Sequence, residues 1–397
     1  PLRRSGRIRA VTTLLPTAAV SVPSVLVVLP TPPGKGLPPD TVIAGLPLLR
    51  RIVLAATRAG FERILVHPDA CPEPRLLEGT VAVVLDGGAG TPSPERVVLL
   101  PVNVLPQARW LRGLREMPLE PETILVDSSM VAALESAGGG DVLRTAGECS
   151  APHDLVASLS RRLPSIAPAG DPAGRFAVEG AGGVKAAEDW LLRGLIKDTE
   201  GFMSRHVERR ISLAVTRRLV STSITPNVMT LVSLAVGLSS APFFLSVDPL
   251  TQVIGSLLFL THSILDGCDG ELARLKFLES PAGARLDFWG DNLVHVAVFT
   301  CMGVGWSMAI DALWPLALGM LAVTGTGLSA VLVSQQSGAP SASGARLAEA
   351  LANRDFIYLV IVLACFGRAQ WFLVCVALGT PIFMMLVRWG AGRRRAK

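Results

Sequence analysis

From Val228 onward the chain carries long apolar runs with almost no charge, and this limits its fold more than any other feature. A stretch of about 20 predominantly apolar residues is the length a helix needs to cross a bilayer. The runs Val228–Leu245, Leu250–Leu265, Leu286–Met308 and Leu313–Val333 are predicted to be the first four spans. Phe356–Phe366 alone is too short for a fifth, so that helix is predicted to begin near Ala348. This draws Asn353, Arg354 and Asp355 towards the membrane, where they should face a polar cavity. Trp371–Val387 is the sixth.

Six spans put both termini on one side, and the basic residues agree. Arg205–Arg218, Arg274–Arg285, Arg346–Arg354 and the tail Arg393–Lys397 would share a side. The opposite turns at 246–249 and 307–312 have no Lys or Arg, and 367–370 has only Arg368. The positive-inside rule makes the basic side cytoplasmic. The expectation is therefore an integral protein of the cytoplasmic membrane, touching membrane lipids, with both termini on the cytoplasmic side.

The first half of the 397 residues reads differently, mixing short apolar runs with charge, Pro and Gly. Val25–Leu29, Phe61–Val66, Val81–Leu85, Val97–Leu100 and Thr123–Val126 are predicted strands. Leu48–Ala59 has helical spacing and stops at Gly60, and a short helix is predicted at Leu155–Leu163. Strands alternating with helices argue an α/β domain with a largely parallel sheet over residues 1–183. Residues 184–225 hold two helices, Val184–Leu195 and Met203–Val220. In the second, Ile211, Leu213, Val215 and Leu219 alternate with Arg209, Arg210, Arg217 and Arg218. That pattern suits a helix lying on an anionic membrane surface, or a surface helix of the soluble domain. Residues 226–397 are the membrane domain.

Within the apolar half lies DGCDGELARLKFLESPAGARLDFWGD, Asp266 to Asp291. A carboxylate there is expensive and usually functional. Asp266 and Asp269 are spaced i,i+3, and Asp287 and Asp291 i,i+4, so each pair shares a helix face. Two helices offering facing carboxylate pairs suit a hard divalent cation such as Mg²⁺ or Mn²⁺. An internal salt-bridge cluster with Arg274, Lys276 and Arg285 explains the pattern less well, because the nearby cations are too few.

The spacing Asp266-x2-Asp269-Gly270-x2-Ala273-Arg274-x8-Gly283-x3-Asp287-x3-Asp291 resembles the CDP-alcohol phosphotransferase family at every defined position of its signature. The resemblance covers about 185–390. It implies a six-helix fold, usually dimeric, with a cytoplasm-facing cavity in which a phosphoalcohol group passes from a CDP-alcohol to a polar hydroxyl acceptor with release of CMP. On that basis Asp266, Asp269 and Asp287 would hold one or two cations, Mg²⁺ or Mn²⁺. Asp291 would be the general base and a further metal contact. Asp266, Gly270, Ala273, Arg274, Gly283 and Asn227 would contact the nucleotide. Gly270 and Ala273 lack bulk, which admits a nucleotide or a neighbouring helix, and Arg274 has a fork of donors for phosphate. Asn227, in the TPN element Thr225–Asn227, would lie near the nucleotide or simply cap a helix.

Ile43–Val66 and Val97–Leu114 resemble the sugar-nucleotidyltransferase family. The loop Pro30–Asp40 keeps Gly34, Lys35 and Gly36 but lacks the full glycine-rich signature and its arginine, and Val102 or Asn103 stands where a metal-binding aspartate is expected. The domain is read as degenerate, kept for packing, dimerisation or regulation. With Lys197–Ser212, the fusion resembles the bifunctional inositol-phosphate cytidylyltransferase/di-myo-inositol-phosphate-phosphate synthases. That implies inositol phosphate as acceptor, with Lys276, Arg285 and Arg354 to hold its phosphate or merely to anchor the chain. The other reading is a phospholipid synthase using CDP-diacylglycerol and a polar alcohol. A membrane protein carrying an ion at the aspartates is the competing class, though no internal repeat supports it.

No binding motif or aromatic-interleaved basic stripe points to nucleic acid, and the net charge of +5 is modest. The six cysteines, Cys71, Cys149, Cys268, Cys301, Cys365 and Cys375, show no CxxC spacing and read as small buried hydrophobes.

Overall fold

The computed structural model describes residues 23–31, 37–85, 95–136, 139–148, 154–166, 174–196, 203–334, 356–380 and 385. Contacts divide the chain into two units. One comprises Pro1–Thr41 and Pro47–Val184, the other Val42–Leu46 and Lys185–Lys397.

The first unit is built on a mixed sheet. Its strands are β1 (Ser24–Leu29), β4 (Arg63–Val66), β5 (Val83–Val84), β6 (Glu95–Pro101), β8 (Ile124–Val126), β9 (Ala132–Ser136) and β10 (Ser165–Ile166). Their order is β10-β8-β9-β6-β1-β4-β5. An antiparallel pair (β7, Val104–Pro106; β11, Arg175–Ala177) completes its strands, while the hairpin of β2 (Val42–Ile43) and β3 (Leu46–Pro47) falls almost wholly to the second unit. β1 reads SVLVVL, is buried throughout, and pairs in parallel with β4 and β6. Such a run suits a strand covered on both faces. The predicted strands appear within a few residues of their expected bounds. β9 was not foreseen, because AALES lacks β-branched residues. It enters antiparallel to both β6 and β8.

Helix α1 (Leu48–Ala59) buries Leu48, Leu49, Ile52, Val53, Ala55 and Ala56 and ends at Gly60, which takes φ +85°. This left-handed stop is one that glycine adopts without strain. Three further helices follow: α2 (Ala108–Glu116), α3 (Gly139–Glu148) and α4 (Leu155–Arg162). Leu143, Ala146, Leu155 and Val156 pack on the face made by Val25, Val27, Val97, Leu99 and Leu134.

The second unit is helical. α5 (Gly180–Arg193) begins at the end of the first unit, a π-helical turn at Ser204–Glu208 leads into α6 (Arg209–Leu219), and α7 (Pro226–Ser240), α8 (Pro249–Lys276) and α9 (Pro281–Ile310) follow. α7, α8 and α9 each start with a capping side chain and then Pro. Thr225, Asp248 and Ser280 accept the N–H groups of Val228, Thr251 and Gly283. Pro at the first helical position loses nothing, because its missing donor would lack a partner there anyway. α10 (Trp314–Ser334) and α11 (Phe356–Cys365) come next, then the apolar helix Ala369–Thr380. α9 and α10 meet through Gly303 and Gly319, where an added Cβ at Gly303 would come within 3.2 Å of the Gly319 Cα. Phe244, Phe259, Val298, Phe299, Trp306, Val360 and Phe372 fill the core.

A buried amide pair ties α8 to the start of the last described helix. Gln252 Nε2 donates to Gln370 Oε1 at 2.9 Å, and the Ala369 N–H donates to Gln252 Oε1 at 3.0 Å. Two described helices are long and apolar enough to cross a membrane, Pro226–Leu245 and Pro281–Ile310. The other four predicted spans fall on α8, α10, α11 and Ala369–Thr380, the last two being shorter apolar helices over the described residues. α8 carries Gln252, Thr261, His262 and the first two aspartates along its length. Positions 348–355, offered as the start of the fifth span, lie outside the described residues, as do 381–387 apart from Met385.

Candidate active site

Ser280 and Pro281 restart the chain just after α8 ends at Phe277, which adopts φ +56°. This short turn sets the carboxylates late in α8 opposite those early in α9. α7 packs against both helices and supplies the third wall. Asp266, Asp269 and Asp287 each bring an oxygen to within 4.8 Å of the others. Asp266 and Asp269 are each only 5% exposed. At an effective dielectric of about 20, two ionised carboxylates this close repel by roughly 3 kcal/mol. Oδ1 of Asp287 is also buried without a hydrogen-bond partner. Three buried oxygen donors at this spacing fit a hard divalent cation.

Asp291 stands apart from that trio. Its Oδ1 lies 3.5 Å from Nε2 of His262, whose ring is buried. His262 Nδ1 is 2.9 Å from the Ser233 carbonyl oxygen, and the ring stacks on Phe259 at 6.1 Å between centroids. A neutral imidazole that donates from Nδ1 offers a lone pair at Nε2.

A cavity of about 210 Å³ opens beside the trio. It is lined by Asn227, Thr230, Asp269, Gly270, Ala273, Arg274, Ser280, Gly283 and Asp287, among others. The structure therefore brings five of the six residues assigned to the nucleotide to one cavity; the sixth, Asp266, joins through the carboxylate trio. The two glycines serve different ends. A Cβ at Gly270 would touch only the Arg274 guanidinium, at 3.5 Å, so protein packing does not require glycine there. A Cβ at Gly283 would lie 3.0 Å from both Asn227 Oδ1 and Ser280 Oγ, so this glycine lets the first turns of α7 and α9 meet. The cap before Asn227 is the Thr225 side chain, which leaves Asn227 to line the cavity.

Of the cations suggested for an acceptor phosphate, the two that are described, Lys276 and Arg285, do not line this cavity. Lys276 Nζ donates to the Thr222 and Ile224 carbonyls at 2.7 and 3.1 Å, and desolvation lowers its pKa. Arg285 is exposed and is not among the lining residues. Arg354 lies outside the described residues, as do Gly34, Lys35 and Gly36 of the first unit. In that unit Val102 and Asn103 are both buried just beyond β6, so neither register offers a carboxylate.

Sequence reasoning missed Thr230, Ser280 and His262. Thr230 donates to Asp269 Oδ2. Its one legible signal was a hydroxyl on the same helix face as Asn227, three residues on. It also missed Glu271, fully buried on α8 and held by Arg209 Nη1 (2.7 Å), Ser212 Oγ (2.7 Å) and Thr216 Oγ1 (2.6 Å) of α6. α6 thus meets α8 partly through its polar face, while Ile211 stays exposed.

Comparison with known proteins finds several relatives. The bifunctional IPC transferase and DIPP synthase of Thermococcus kodakarensis is 42% identical over 112 residues, 28% of this chain and 25% of that protein. The protein of the same description from Rubrobacter xylanophilus is 36% identical over 147 residues, 36% and 33% of the two chains. A CDP-diacylglycerol–serine O-phosphatidyltransferase of Mycobacterium tuberculosis is 30% identical over 103 residues, 24% and 35%. The match thus spans about a quarter to a third of each relative. The family model for CDP-alcohol phosphatidyltransferase matches residues 223–383, which contain the aspartates, the cavity and α7 to α11. Over that region the chain is similar to the CDP-alcohol phosphatidyltransferase family.

Proposed function

We propose that the protein transfers a phosphoalcohol group from a CDP-alcohol to a hydroxyl acceptor and releases CMP. The observation that carries this reading is the trio of buried Asp266 and Asp269 with half-buried Asp287, beside a cavity that also holds Arg274 and the bulk-free face of Gly270. Those three aspartates would hold a divalent cation, Mg²⁺ or Mn²⁺, which when bound supplies charge neutralisation to a pyrophosphate. Asn227, Gly270, Ala273 and Gly283 give the nucleotide its surface, and Arg274 offers a fork of donors to the phosphates. Asp291 takes the acceptor's proton. The acceptor oxygen attacks the β-phosphorus, the bond from that phosphorus to the bridging oxygen breaks, and the electron pair leaves with CMP. Asp291 suits this role because it stands outside the carboxylate trio.

The acceptor we propose is an inositol phosphate, supported by the two IPC transferase and DIPP synthase relatives. The serine phosphatidyltransferase relative favours a second reading, CDP-diacylglycerol with a polar alcohol. Six spans, cytoplasmic termini, a homodimer, and a degenerate nucleotidyltransferase-like first domain ending near residue 183 belong to the same reading. Leu231, Leu257, Leu293, Met320 and Val362 remain exposed on the helical unit, as lipid-facing residues would. The test is CMP release by the purified protein with Mg²⁺ or Mn²⁺ and a panel of CDP-alcohols and acceptors. No turnover with any donor, alongside tight cation binding, would favour an ion-carrying protein instead.

A further inference from the structure

Thr230 lies on α7, one turn in from Pro226 and three residues beyond Asn227, on the helix face that lines the cavity. It is only 4% exposed. Its hydroxyl is within hydrogen-bond reach of two acceptors, the Pro226 carbonyl oxygen at 3.2 Å and Asp269 Oδ2. A hydroxyl has one proton to give. A charge-assisted bond to a carboxylate is about twice as strong as one to a neutral carbonyl, so the proton goes to Asp269. In a cluster of like charges, each carboxylate tends to rotate away from its neighbours. Fixing Oδ2 of Asp269 from α7 opposes that rotation.

We infer that Thr230 is a positioning residue of the cation site, holding Asp269 turned for coordination through a hydrogen bond from a third helix. The inference rests on the proposal that Asp266, Asp269 and Asp287 hold a divalent cation. Residues outside a metal's ligand set that orient its ligands typically change metal affinity 10–100-fold when removed. Thr230 thereby gives α7 a part in the site that the four-aspartate spacing does not show.

The test is Mn²⁺ binding by the full chain in detergent, read from the electron paramagnetic resonance of free Mn²⁺. Thr230→Val keeps the shape and removes the hydroxyl, and should weaken binding about ten-fold or more. Thr230→Ser keeps the hydroxyl and should stay within about two-fold of the wild type on the same reasoning. Equal affinity in Thr230→Val and wild type overturns the inference. If the valine variant fails to fold, Thr230→Ser against Thr230→Ala decides, because these two differ only in the hydroxyl; matching affinities again overturn it. A wild type that binds no Mn²⁺ overturns it together with the cation assignment. CMP release, scored separately, tells the readings apart. A protein whose Mn²⁺ affinity follows the hydroxyl but which never releases CMP keeps this inference and loses the transferase reading.

Discussion

In the sheet unit, Arg96 meets Glu135 at 2.5 Å and gives further hydrogen bonds to the Leu114, Arg115 and Met117 carbonyls, while Arg175 pairs with Asp127. In the helical unit, Asp266, Asp269 and Asp287 crowd oxygens of the same sign into a 4.8 Å cluster. The first arrangement serves the fold, because each buried charge faces its opposite. The second works against the fold, since nothing is gained by packing like charges together unless something binds between them. Charge set against its opposite points to structure, and like charge crowded at one point points to a ligand.

The largest expected effect sharpens the contrast at Asp291. Asp291→Asn should lower turnover by about 10²–10⁴-fold, the usual worth of a positioned general base, with CDP binding nearly unchanged. Retained activity would break the base assignment. Removing one member of each kind of cluster should then give opposite stability results. Glu135→Ala should cost about 1.5–3 kcal/mol by removing the carboxylate partner of the buried Arg96, read from chemical denaturation. Asp287→Asn, without metal, should melt no lower than the wild type while abolishing turnover. A large loss of stability there would mean that the trio is structural after all. With CTP and inositol phosphate, the full chain should release no pyrophosphate, because Val102 and Asn103 put no carboxylate at the position just beyond β6. Release would show chemistry in the first unit too.

The smallest effect concerns His67, buried just after β4, where desolvation lowers its pKa despite nearby Asp69. The unfolded chain therefore takes up a proton there before the folded one does. Stability of the sheet unit should fall slightly as pH drops from above the ordinary histidine value, about 6.5, towards the lower folded value. His67→Gln should flatten that slope in urea midpoints measured at two pH values.

Aspartate spacing was legible because a carboxylate in an apolar run has few explanations, and period 3.6 places each pair on a face. Thr230, His262 and Glu271 were harder to see. Periodicity shows which residues share a helix face, but not which other helix that face will meet. A threonine in an apolar run looks like filler until α8 is seen beside it. In the sheet unit the β-branched cores of β1, β4 and β6 announced themselves, whereas β9 is a strand only because β6 and β8 flank it. The basic amphipathic pattern of α6 suggested a membrane-surface helix, and alternation alone could not show that Ser212 and Thr216 turn inward to a carboxylate.

That carboxylate bears on how the protein can be cut down. Residues 223–383 look like a natural minimal fragment, because they are what the family model matches. A version starting there would lose Arg209, Ser212 and Thr216 together and leave Glu271 charged, buried and without the three donors that surround it. Shortening from the N-terminus should therefore be tolerated only as far as about residue 185, because Leu192 of α5 and Leu195 just after it also pack with Cys268, Leu272 and Leu275 of α8. The folding unit is longer than the recognisable one, and α6 belongs to it.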